Sequence, residues 1–263
     1  MKLMTLNCHS WQEDNQRDKI KYLAKVIVKE NYDIIALQEV SQLKSSNKIK
    51  GNIREDNFIY ILLWELEKLE RTYDYRWDFN HIGYDLYEEG IGIIFRGNVK
   101  EKDGDFIGKT KDTNFWKTRK FSRVSIEINN EIIDFYSCHM GWWQDEENSF
   151  EEQVEDLLRI TKERGNRYFL MGDFNNDAKV REEGYDYLIG KELIDTYNIA
   201  EKKDSGITVK GVIAGWEGRN SKDKRIDLIL TNNICKVKES LVIFNGENYE
   251  KISDHFGVSV EVD

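Results

Sequence analysis

Proline is absent from all 263 residues. At a usage of about 5% roughly thirteen would be expected. Strong codon bias towards A and T lowers proline but rarely to zero, which leaves two readings open, a natural proline-free sequence or a proline-depleted redesign of one. Cysteine is scarce as well. Cys8, Cys138 and Cys235 are odd in number and far apart, which argues against a disulfide framework and for reduced thiols in a cytoplasm. No apolar run approaches the roughly 20 residues that a membrane-spanning helix needs. The opening stretch, MKLMTLNCHS, has a strand pattern and lacks the apolar core of a secretion signal. These absences predict a cytoplasmic protein with no membrane contact. Positive charge is also short: 39 Lys and Arg face 49 Asp and Glu, for a net charge of −10. A broad basic surface for nucleic acid is therefore disfavoured, although a local basic groove stays open. There is no repeat, linker or low-complexity tract, and the expectation is one domain over residues 1–263.

What is present suffices for a sizeable core: 40% hydrophobic and 12% aromatic residues. Residues 1–7 read as a strand and 16–30 as a helix with Ile20, Leu23 and Ile27 on one face. Residues 33–40 form a buried strand with a polar end. Residues 54–70 read as an amphipathic helix with Phe58, Ile61, Leu62, Leu66 and Leu69 inward. Strands are expected at 73–79 and 91–96, and a hairpin at 121–128 and 132–139 about the Asn129-Asn130 turn. A helix at 150–162 precedes strands at 168–172, 226–231 and 258–262. Strands alternating with helices, then hairpin-like pairs, predict mixed sheets packed face to face with helices outside.

Several apolar strands end in acidic, amide or imidazole groups. The ends are Asn7, Gln38-Glu39, His139 and Gly172-Asp173-Phe174-Asn175. Arg225-Ile226-Asp227 and Ser253-Asp254-His255 follow near the C-terminus. Such groups can converge at one edge of stacked sheets without disturbing the core. A cluster of buried carboxylates needs cations or hydrogen bonds to be tolerated. Singly, each has a blander reading. Asn7 is a strand-end hydrogen-bonding residue, Glu39 a surface residue, Asp227 a strand cap and GDFN a turn. His9 and His81 read as structural and receive no catalytic role.

The segments TLNCHSW, IIALQEV, KFSRVSI, SCHMGWW, LMGDFNNDA, RIDLIL and ISDHFGV run in one order across nearly the whole chain. Together they resemble the endonuclease/exonuclease/phosphatase superfamily, the family of DNase I. The resemblance implies a four-layer α/β sandwich of two mixed sheets, with a single site at one edge. It also implies a metal-dependent hydrolase of phosphate esters. Magnesium or manganese wants oxygen ligands, which points to Glu39, with Asn7 and Asp254 completing or orienting the shell. Asp173 would orient and deprotonate the attacking water, and Asn175 would hold a phosphoryl oxygen. His255, its tautomer fixed by Asp227, would donate to the charge developing on the phosphate. His139 would contact the same phosphate from the other side. By resemblance, Glu89 would orient His139 and Arg123 would contact the phosphate.

More specific pieces are LNCHSWQEDNQ, IREDNFIYILLWEL, NHIGYDLYEEGIGI, NFWKTRKFSRV, HMGWWQDEENSFEEQ and AGWEGRNSKDKRIDLIL. They resemble bacterial maltose 6′-phosphate phosphatases, implying a small-molecule partner, a phosphorylated sugar. Trp116, Trp142, Trp143 and Trp216 lie near site motifs. They either offer flat faces to sugar rings or pack loops onto the sandwich. Lys117, Arg119 and Lys120 form a basic run beside Arg123 that either meets a phosphate or lines a solvated edge. A nuclease is the rival enzyme, but it would want basic residues tracking several phosphates and platforms for bases. A catalytically silent scaffold is the alternative of another class, and the retained strand-end groups argue against it. The prolines usual in the family after GDFN and in the Thr113-Asn114-Phe115 segment are missing. Their loss puts loop rigidity in doubt rather than the chemistry.

Overall fold

The structure is a computed structural model that describes residues 1–213, 215, 216 and 222–263. In chain order come β1 (Lys2–Asn7), α1 (Gln16–Glu30), β2 (Ile34–Leu43), β3 (Lys48–Lys50), β4 (Ile53–Arg54) and α2 (Phe58–Lys68). Then follow β5 (Asp74–Gly83), β6 (Tyr87–Phe95), β7 (Asn98–Ile107), β8 (Arg119–Ile128), β9 (Glu131–His139) and α3 (Phe150–Arg164). The last third holds β10 (Arg167–Asp173), α4 (Gly184–Gly190), β11 (Ile194–Asp195), α5 (Thr196–Ile199), β12 (Ala200–Lys203), β13 (Asp227–Thr231), β14 (Val237–Ile243) and β15 (Gly257–Val262). One sheet has seven strands in the order β12-β14-β15-β1-β2-β6-β5, and the other has six in the order β11-β13-β10-β9-β8-β7. Both are mixed: β1 pairs parallel with β2 and antiparallel with β15, and β10 pairs parallel with β9 and antiparallel with β13.

Successive strand residues point to opposite faces, so alternation sorts each strand between two cores. Leu3, Ile34, Ala36, Ile133, Phe135, Phe169, Met171 and Ile229 meet in the layer between the sheets. Met4, Leu6, Ile35 and Leu37 face the other way, against α1 and α2. Tyr136, Cys138, Leu170 and Leu228 face away in the second sheet, against Phe150, Val154 and Leu157 of α3. The result is the expected four layers, helices outside two facing sheets. No described helix is long and apolar enough to cross a membrane.

The differences from expectation have local causes. The second helix starts at Phe58 rather than near residue 54, because the Asn57 side chain caps it by accepting from Tyr60 N. Strand β7 escapes pattern reading because NVKEKDGDFI is an edge strand with mostly exposed, charged residues. Strand β14 pairs with β15 in antiparallel register, and nothing in VKESLVI distinguished it from a loop. The motif at 214–230 lies partly outside the described residues, which exclude 214 and 217–221.

Candidate active site

The site grows out of the alternation that builds the inner core. Counting in twos from Leu3 reaches Asn7, from Ile34 reaches Gln38, from Phe135 reaches His139 and from Phe169 reaches Asp173. Each inner-facing row ends in a polar group where the apolar layer ends. Register then sets them side by side: Asn7 opposite Gln38, and Asp173 between His139 and Asp227. Gly172 permits this packing. Its φ is +157°, and a Cβ there would stand 1.8 Å from the Cys138 carbonyl oxygen.

Glu39 reaches the site through a bulge. Between Leu37 and Val40 the pairing of β2 with β6 slips, and Glu39 takes a left-handed φ of 50°. Bulges re-aim side chains at sheet ends. The bulge lets two consecutive residues serve different partners: Gln38 Nε2 donates to Ser137 Oγ at 3.0 Å, while Glu39 Oε1 accepts from Asn7 Nδ2 at 2.8 Å.

Asp173 Oδ2 is the meeting point. It accepts from Asn7 Nδ2 at 3.0 Å, and His139 Nε2 and His255 Nε2 stand 3.7 and 3.8 Å away. Asp173 Oδ1 accepts from the Asn175 backbone at 2.8 Å. The far side of the His255 ring is held by Asp227, Nδ1 to Oδ2 at 3.0 Å. Asp227 is in turn fixed by its backbone N–H donating to Thr208 Oγ1 at 3.2 Å. Asn175 Nδ2 lies 3.2 Å from His139 Nε2 and donates to the Met140 carbonyl, and its Oδ1 accepts from Trp216 Nε1 at 3.2 Å. The loop that lacks the usual proline is tied by side chains instead. Asn176 Nδ2 donates to the Phe174 and Gly141 carbonyls, and Asp177 Oδ1 accepts from the Lys179 and Arg225 backbones.

Burial and like charge dominate the electrostatics. Burial pushes Glu39 up to about 7, helped by Glu89 and Asp254 nearby. Burial likewise lifts Asp173 and Glu89 to about 7, with Asp227 adding repulsion at Asp173. His139 is held well below the ordinary imidazole value by burial and by Arg119. His255 goes the other way. Burial opposes its charge, but Asp227 and Asp173 outweigh it and raise its pKa well above the ordinary value. The pair therefore combines a neutral and a cationic imidazole around one carboxylate.

Glu39, His139, Asp173, Asn175 and His255 line a cavity of about 560 Å³ with His9, Gln12, His81, Tyr84, Asp85, Glu89, Asn114, Trp116, Arg119, Trp142 and Asp254. Several expectations are corrected. Arg123 is not at the site: it sits mid-strand, fully buried, bonded to Asp103, Glu101 and Asp134. Among the described residues the arginine that lines the cavity is Arg119, four residues earlier at the strand start. Its Nη1 donates to the Trp116 and Thr118 carbonyls, and its buried Nε has no partner among the described residues. Glu89 does not orient His139, because its carboxylate faces His81 Nε2 at 3.4 Å. The β5–β6 pairing slips between Phe79 and His81, placing His81 opposite Glu89. His81, read as merely structural, thus enters the cavity wall, as does His9. Trp143 does not line the cavity; it packs on Phe150 and Tyr187. Trp216 is buried with Trp142, Val209 and Ile226 and bonds to the site through Asn175. Trp142 does line it.

The donor set can hold a divalent ion. Ligand atoms of Glu39, His139 and Asp173 lie within 4.8 Å of one another. Crowded carboxylates that resist ionisation are what a hard cation relieves, so the carboxylates of this cluster, Glu39 first, fit such an ion. Asn7 turns Nδ2 to both carboxylates while its Oδ1 accepts from His9 N at 3.1 Å, so here it cross-links the ligands rather than offering them an oxygen. Asp254 lines the same cavity, with Oδ1 3.6 Å from His9 Nδ1.

Two mixed sheets closing on a strand-end cluster of carboxylates and imidazoles define a hydrolase of the DNase I-like type. The chain belongs to the Endonuclease/Exonuclease/phosphatase family, whose pattern matches residues 4–255. Enzymes of that family are generally hydrolases and typically use divalent metals. A solved family protein from Leptotrichia buccalis C-1013-b is similar over 100% of this chain and 99% of its own, with 39% identity and a TM-score of 0.94. The mannosyl-6-phosphatase Bt3783 of Bacteroides thetaiotaomicron VPI-5482 shares the fold at 20% identity and TM-score 0.71, covering 100% and 99%. A truncated Caenorhabditis elegans TDP2 shares it at 16% and 0.64, covering 99% and 96%. No curated protein sequence gives a significant match.

Proposed function

We propose that the chain is a divalent-metal-dependent phosphomonoesterase of a phosphorylated sugar, with maltose 6′-phosphate the leading substrate. The observation that carries this reading is the convergence of Asn7, His139 and His255 on one oxygen of Asp173 inside the cavity. Glu39 would hold the metal, with Asp254 and Asn7 supporting it. The ion would polarise a phosphoryl oxygen and offset charge on the phosphate. Asp173, which accepts from Asn7 and stands between the two imidazoles, would orient the attacking water and take its proton. His255, kept cationic by Asp227, donates from Nε2 to a phosphoryl oxygen as charge builds there. His139 and Asn175 bind the same phosphate from the other flank. Arg119 supplies a fixed positive charge, and the open donor at its buried Nε matches an anion.

A monoester suits this cavity better than a polynucleotide. Arg119 is the single arginine or lysine among the described lining residues, whereas a nucleic-acid track needs several cations. The mannosyl-6-phosphatase name of one fold relative leans the same way. A cytoplasmic setting fits three free thiols.

The test is phosphate release from sugar phosphates, nucleoside monophosphates and phospholipid headgroups, alongside plasmid cleavage, with magnesium, with manganese and with chelator. Sugar phosphates should react fastest, and chelator should stop the reaction. Plasmid cleavage outpacing every sugar phosphate would restore the nuclease reading.

A further inference from the structure

Beyond the strand-end groups, two loops wall the cavity. The β5–β6 turn supplies Tyr84 and Asp85, and the segment before β8 supplies Asn114 and Trp116. The loops are joined: Ile82 N donates to the Thr113 carbonyl at 2.7 Å, and His81 Nδ1 donates to the Thr118 carbonyl at 3.2 Å. Tyr84 and Asp85 both hold left-handed φ angles, 51° and 56°, across a turn closed by Leu86 N to the Gly83 carbonyl. That is the pattern of a type I′ turn, which favours Gly or Asn over tyrosine. Unfavourable backbone of this kind tends to persist at ligand-binding segments.

Trp116 is 50% exposed although it lines a concavity. Its position is set from the protein side, by an edge contact to Trp142 at 5.9 Å and by Lys117 Nζ at 5.4 Å from its ring. Lys117 is itself anchored by Asp145 and Glu147. A braced indole that lines a cavity offers a flat apolar face at a fixed place. The same cavity wall carries a carboxylate, Asp85, and two amides, Gln12 and Asn114.

Resting on the sugar-phosphate reading, we propose that this outer wall is a subsite for a second, unphosphorylated pyranose ring of the substrate. The ring's C–H face stacks on Trp116, and its hydroxyls bond to Asp85, Asn114 and Gln12. The carboxylate argues against a further phosphate at this position, since like charges repel, but vicinal hydroxyls can donate to it. The cavity volume lies within the roughly 300–1,000 Å³ of small-molecule sites, enough for more than a phosphate and one ring. The subsite would make the enzyme select disaccharide phosphates over hexose phosphates, and Trp116 would be the residue that reads the difference.

The test compares maltose 6′-phosphate, glucose 6-phosphate and a nucleoside monophosphate as substrates of the native enzyme, Trp116→Ala and Trp116→Phe. Trp116→Ala should lower kcat/KM for the disaccharide relative to the hexose by about tenfold, the scale of one lost stacking contact. Trp116→Phe should recover most of that ratio by restoring a flat ring. Circular dichroism confirms folding, and a half-exposed position tolerates both changes. Hydrolysis of both sugar phosphates with an unchanged ratio in Trp116→Ala overturns the subsite alone. A larger loss on the nucleoside monophosphate overturns its assignment to a sugar ring. Failure of the native enzyme on both sugar phosphates overturns the functional reading, and the subsite with it.

Discussion

Nδ1 of His255 lies 3.0 Å from Oδ2 and 3.2 Å from Oδ1 of Asp227, while Nε2 of the same ring stands 3.8 Å from Asp173. The ring is gripped on one side by a carboxylate that strand pairing sets beside Asp173. It faces the cavity with the other side, where a hydrogen-bond donor would meet a bound phosphate. Asp227→Asn should therefore bring the His255 pKa down towards the ordinary imidazole range, which imidazole NMR would detect. The fold should survive, and kcat should fall by on the order of a hundredfold or more. An unshifted imidazole titration in that variant would show that Asp227 does not hold the charge.

Glu39→Gln separates function from stability. The pKa of Glu39 is raised to about 7 in the folded chain, against about 4.3 when unfolded. Its protonated form therefore adds stability that is complete below about pH 4 and lost as pH rises through 7. A glutamine stays neutral throughout. In chelator at pH 8 the variant should melt above the native protein, and the gap should close towards pH 4. Magnesium should raise the native melting temperature more than the variant's, and the variant should lose most activity. A native protein that melts above Glu39→Gln at pH 8 without metal would contradict this account.

Arg119 and Arg123 should fail in opposite ways. Arg123→Met leaves buried Asp134 without one of its charge partners and should cost about 3 kcal/mol in stability. The folded fraction should keep its kcat/KM. Arg119→Met should lower kcat/KM by about a hundredfold, the scale of one lost anion contact, in a chain whose circular dichroism is native. Denaturant melts and steady-state kinetics on both variants decide between these roles. A kinetic loss confined to Arg123→Met would reverse them.

Trp143→Ala should act on packing. The ring is half-buried against Phe150, at the start of α3, and Tyr187 in α4. Removing it should cost roughly 2 kcal/mol, below the figure for a fully buried aromatic. KM for sugar phosphates should stay within twofold, about 0.4 kcal/mol. A KM increase on disaccharide phosphates without a change in melting temperature would return Trp143 to the substrate.

The line between what could be read early and what could not runs through particular residues. Asn7, His139, Asp173 and Asp227 were legible because each continues an inward row of apolar residues to its polar end, and alternation is a local property. Glu39 was legible as a candidate, but the bulge that aims it was not, since a bulge shows only against the partner strand. Arg119 and Arg123 lie on one strand, in one basic segment, and sequence spacing could not choose between them. Pairing with β7 and β9 chose, by surrounding Arg123 with Asp103, Glu101 and Asp134.

By itself, then, the sequence determined the layered sandwich, the strand ends that bear polar groups and the family to which they belong. These depend on hydrophobic periodicity and ordered motifs, both written in neighbouring residues. Only the tertiary structure decided that His81 faces Glu89, that Trp143 packs inward while Trp116 stays open, and which arginine meets the cavity. The first depends on a register slip in the β5–β6 hairpin, the second on what packs against each turn, and the third on which neighbouring strands and loops surround two residues on the same face of β8; none of these is written in neighbouring residues.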